Sequence, residues 1–112
     1  MLLDELNVLL LEEISKHRVP DITYPLEVLL AEVANRVMAS RSAADEDPEI
    51  IRPVVDEALV RGINNWPPAP YGERTSPFSH LALVAKYAIL DYQVRRKYWI
   101  GELMKEGNAK AI

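Results

Sequence analysis

The residues best equipped for chemistry lie in YQVRRKYW, Tyr92 to Trp99, where Arg95, Arg96 and Lys97 stand in a row among aromatic residues. Cations interleaved with rings can bind a phosphate backbone, cover apolar area with their methylene stems, or pair with acids on a neighbouring subunit. The chain carries 13 Lys and Arg against 17 Asp and Glu, a formal charge of −4, so subunit pairing ranks ahead of nucleic acid. The structural alternative makes Tyr92 and Trp99 core residues and the three cations a solvated face. Tyr98 and Leu103 belong to the same apolar, basic end of the chain.

A second group lies in NNWPPAPYGERTSPFSH, residues 64–80, which holds Trp66, Tyr71, Arg74 and Phe78 in a setting too rich in proline for helix or sheet interior. Aromatic residues and arginine dominate interface hot spots, and proline lowers the entropy a loop loses when a partner orders it. The competing reading is that Trp66 and Phe78 close the end of the protein's own core. The loop within it, at about twelve residues, sits at the length where unstructured loops start to be functional more often than not.

Other chemistry is sparse. The four glycines are single and scattered, so no phosphate-cradling loop can form. His17 and His80 lack helical ligand spacing and read as helix-end or surface residues; Ser79 beside His80 is no triad, since triad partners meet in space. Asp45, Glu46, Asp47 and Glu49 lack the glycine and terminal glutamate of a calcium loop, and acids before a helix are favoured by its unpaired amides and dipole. They read as a solvated connector. Asp56 and Glu57 read as a solvated helix face. The absence of cysteine excludes disulfides, zinc-thiolate sites and thiol catalysis. No cofactor and no metal are expected, and the chain reads as a non-enzymatic protein.

The elements that must position these groups are helical. Leu3, Leu6, Leu10 and Ile14 recur at three and four, which predicts a helix over 2–16 that Pro20 stops. Thr23 as cap and Pro25 in the first turn open a second over 24–41, with Leu26, Leu29, Leu30, Val33 and Val37 as its buried face. Asp47 and Pro48 open a third over 48–62, which either kinks at Pro53 or truly begins there; Gly62, Asn64 and Asn65 mark its end. Ser76 and Pro77 open the longest, over 77–106, with Phe78, Leu81, Ala85, Ala88, Tyr92, Trp99 and Leu103 as its apolar series. At 1.5 Å per residue it runs roughly 40 Å, more than the other three can cover, so its last turns from about Arg95 are expected to project.

At 112 residues, 49% apolar and 27% charged, the chain is expected to form a single all-α, four-helix domain, 1–112, with one core. The N-terminal MLLDELNVLLLEEIS is apolar but carries Asp4, Glu5, Glu12 and Glu13 without a basic start or cleavage site, so it reads as a mature, cytoplasmic segment. No apolar run reaches membrane-spanning length.

The order of DPEIIRPVVDEALVRGINNW, a proline-rich stretch, and PFSHLALVAKYAILDYQVRRKYWIGELMKEG resembles the head-to-tail connector adaptors of tailed bacteriophages over residues 47–107. The resemblance implies a dodecameric ring subunit that docks beneath the portal, meets tail components and continues the DNA channel, with DNA only as passing cargo. It also implies assembly in the cytoplasm and residence in the virion. The sequence reading thus ranks a homo-oligomeric structural subunit first and a small regulatory module, inhibitor or antitoxin-like, that masks one partner second.

Overall fold

Two devices start the second helix. The Leu26 amide donates to the Thr23 hydroxyl at 3.4 Å, and Pro25 occupies the first turn, so the helix α2 runs Tyr24–Met38. The computed structural model describes residues 1–16, 22–67 and 75–111, with side chains through Gly101. Within them the other helices are α1, Leu3–Lys16, α3, Pro48–Asn64, and α4, Pro77–Ala111, with a single 3-10 turn at Arg41–Ala43. No strand occurs among the described residues, and no helix among them is long and apolar enough to cross a membrane.

The expected boundaries shift where side chains close the backbone. α2 ends at Met38, three residues before the expected 41, because the Ala39 amide closes on Asn35 and both the amide and hydroxyl of Ser40 turn back to the Val37 carbonyl. α3 begins at Pro48, with the Glu49 amide donating to the Asp47 carboxylate at 3.0 Å. Pro53 lies inside it at an exposed position and, lacking an N–H, leaves one carbonyl of the preceding turn without its helical donor. The long helix α4 reaches Ala111, beyond the expected 106.

Gly62 corrects a sequence expectation. It lies within α3, buried, and a Cβ there would stand 2.8 Å from Cδ2 of Leu81. Its role is close approach between α3 and α4, and the helix ends two residues later. His80 seals the same crossing by donating from Nε2 to the Gly62 carbonyl at 3.0 Å, which fixes the proton on that nitrogen because a carbonyl can only accept.

Each helix lays one stripe into a shared core: Leu6 and Leu10 from α1, Leu26, Leu30 and Val33 from α2, Ile51, Val55 and Leu59 from α3, and Leu81, Ala85 and Ile89 from α4. The start of α4 is held by α1, since the Phe78 amide donates to Asn7 Oδ1 at 2.9 Å, while Ser76 Oγ accepts from the Ser79 amide at 3.2 Å. The molecule measures 61 × 27 × 26 Å. Its 35-residue last helix is about 52 Å long at 1.5 Å per residue, twice the width of the bundle.

Candidate functional site

The end of α4 leaves the bundle at a defined contact. Glu46, in the connector between the 3-10 turn and α3, has a side chain only 3% exposed and accepts from Arg96 at 2.7 and 3.1 Å, one bond to each carboxylate oxygen. Gln93 Nε2 donates to the same carboxylate at 2.9 Å and to the Ser42 carbonyl at 3.4 Å. Both donors reach it because residues three apart on α4 share a face. The hydrogen bond from Gln93, then that from Arg96, hold the Glu46 carboxyl below the ordinary carboxylate range despite opposing desolvation. Arg96 also lies over the Tyr92 ring, 5.5 Å from its centroid.

This arrangement differs from the solvated connector read from Asp45, Glu46, Asp47 and Glu49. Asp47 caps α3, while Glu46 is a buried tether. It also divides the basic run. Arg96 is held by its own chain, Arg95 makes only the exposed pair with Asp91 at 3.1 Å, and Lys97 has no described partner.

Past the tether, after Lys97, three consecutive large apolar side chains are exposed. Tyr98 is 67% exposed, Trp99 69% and Ile100 50%, and at 100° per residue they point in three directions. Trp99 continues the line of Leu81, Ala85 and Tyr92 after the bundle has ended, so the reading of Trp99 as core is set aside. Leu103 lies further along α4, and its side chain is outside the described residues. The helix thus carries a buried face up to about Arg96 and, among the described side chains, three exposed apolar residues after it.

The sequence reading missed a second apolar line on α4. Leu83, Tyr87, Leu90 and Val94, spaced by four, three and four, are all exposed and lie opposite the core stripe. The spacing was visible in the sequence, but the core series of the same helix has a similar period and masks it.

The proline-rich segment divides between the two answers posed for it. Phe78 packs against the core, and Trp66 is half-buried with its ring 5.5 Å from that of His80 at 51°. Both therefore contact the protein's own fold, as the competing reading of this segment expects, and each keeps a partly exposed surface. Tyr71, Arg74 and His17 lie outside the described residues. Among the described residues no three His, Asp or Glu side chains gather as a metal site. Compared with protein-family models, curated proteins and solved structures, the chain matches none.

Proposed function

We propose that this chain is a non-enzymatic assembly subunit that self-associates through the projecting half of α4. One observation carries the reading: beyond Arg96 the helix presents Tyr98, Trp99 and Ile100 to solvent, with no covering element among the described residues. Three consecutive exposed residues of this size form an apolar patch, and exposed apolar patches mark interaction sites. The outward line Leu83, Tyr87, Leu90, Val94 adds contact area on the same helix.

In its sharpest form the subunit is a phage head-to-tail connector, a ring assembled in the cytoplasm and carried in the virion between portal and tail, with DNA passing through it. The resemblance over residues 47–107 motivates that form. The long α4 and the Asp47-capped α3 are the features of this fold that agree with it.

The test is a truncation after Lys97, compared with the full chain by light scattering and circular dichroism. The full chain is expected to be oligomeric and the truncated chain a folded, helical monomer. A monomeric full chain overturns the reading and turns the projecting end into a surface for a different protein, as a masking module would need. A truncated chain that still assembles overturns the role given to the helix end.

A further inference from the structure

The projecting end of α4 needs a covering surface, and charge indicates which one. Around the helix Arg95 lies between Tyr98 and Trp99, in an exposed pair with Asp91, and Lys97 lies on the opposite side with no described partner. The opposite character appears on α1. Its outward face, opposite buried Leu6 and Leu10, carries Asp4, Val8, Leu11 and Glu12, spaced so that they fall on one side of the helix. Val8 is 56% exposed and Leu11 48%, so this face too is apolar between charges. Among the described residues, Glu13 is the one α1 acid held in an ion pair, with Lys16 at 3.5 Å, which leaves Asp4, Glu5 and Glu12 without a cation.

We infer that the basic, aromatic end of α4 docks on the acidic outer face of α1 in a second copy of this chain. The inference rests on the self-association reading and names its contact. α1, with 14 residues and roughly 21 Å, is long enough to receive the basic, aromatic stretch from Arg95 to Gly101, roughly 10 Å. They cannot meet within one molecule. α1 is bound to the start of α4 through Asn7 and the Phe78 amide, and Trp99 lies roughly 30 Å further along the same helix. The complement of each end therefore belongs to another copy. Because the two patches are different surfaces of one chain, the contact passes head to tail and closes into a ring when the rotation between copies permits.

Charge reversal tests the contact. One variant carries Arg95→Glu with Lys97→Glu, the other Asp4→Lys with Glu12→Lys; all four positions are exposed, so both chains are expected to keep wild-type circular dichroism. Each alone is expected to self-associate at least about tenfold more weakly by light scattering, because like charges then oppose each other across the contact. An equimolar mixture of the two, or one chain carrying all four changes, is expected to regain assembly, since every contact then has opposite charges again. Failure of the mixture to regain assembly overturns the inference. An α1 variant that assembles like the wild type does the same, and leaves the self-association reading standing with the helix end docked elsewhere. A monomeric wild type overturns both.

Discussion

The guanidinium of Arg96 donates to both oxygens of the buried Glu46 carboxylate, and this pair is the last described contact that α4 makes with the rest of its chain. It joins two segments that sequence analysis had placed in separate categories, a solvated acidic connector and a basic helix end. Removing the carboxylate from water is costly. Two oxygen-directed donors from Arg96 and one from Gln93 replace the lost water, and a carboxylate so solvated is harder to protonate.

That arrangement predicts an acid-sensitive contribution to stability. The Glu46 carboxyl titrates lower in the folded chain than in the unfolded one, so the unfolded state takes up a proton first as pH falls. The contribution is complete above the ordinary glutamate value, about 4.3, and disappears as pH drops through the lower folded value. Thermal melts of wild type and Glu46→Gln are expected to show the wild type more stable at neutral pH, with the difference shrinking below about pH 4. An equal difference at both pH values would assign the effect to packing and not to the charge.

Gly62→Ala sets two magnitudes against each other. Alanine in a helix interior is favoured over glycine by about 1 kcal/mol. The new Cβ, however, would meet Leu81 Cδ2 at 2.8 Å, and Leu81 is fully buried among neighbours that leave it little room. Overpacking of that kind costs about 1–3 kcal/mol, so the variant is expected to be less stable by about 1 kcal/mol. In a Leu81→Ala background the obstruction is gone and the same change is expected to be stabilising. A double-mutant cycle by denaturant unfolding measures the difference, and additivity would remove the close approach as the reason for glycine.

How much of this was legible in the sequence depends on how local each cause is. The caps at Thr23, Asp47 and Ser76, the prolines that follow them, and the stripe from Leu26 to Val37 act within one or two turns, and all were readable. Asn7 binding the Phe78 amide, Glu46 meeting Arg96 and Gly62 admitting Leu81 join positions far apart in the chain. No spacing rule encodes them, because each depends on how the helices cross. The projection of α4 was legible for a third reason: its length alone exceeds what the other helices can cover. The exposed line Leu83, Tyr87, Leu90, Val94 was not legible, since which face of α4 is outward depends on how the helices pack.

The chain's two tryptophans allow the covering of that end to be observed directly. Trp66 is half-buried against His80, whereas Trp99 is 69% exposed on the projecting helix. Trp66→Phe keeps an aromatic ring beside His80 and leaves Trp99 as the sole indole. In dilute solution, where a self-associating chain dissociates by mass action, Trp99 is expected to emit as a solvated indole and to be quenched freely by acrylamide. At higher concentration its emission is expected to move to the blue and quenching to fall, in step with the rise in mass seen by light scattering. Trp66→Phe combined with the truncation after Lys97 has no indole, so it serves as the blank for any remaining signal. If mass rises while Trp99 stays fully quenchable, the oligomer is built on another surface, for which the exposed line Leu83, Tyr87, Leu90, Val94 is the nearest apolar candidate on the same helix. If Trp99 is shielded in the dilute monomer, its own chain covers it and the projecting-helix reading fails.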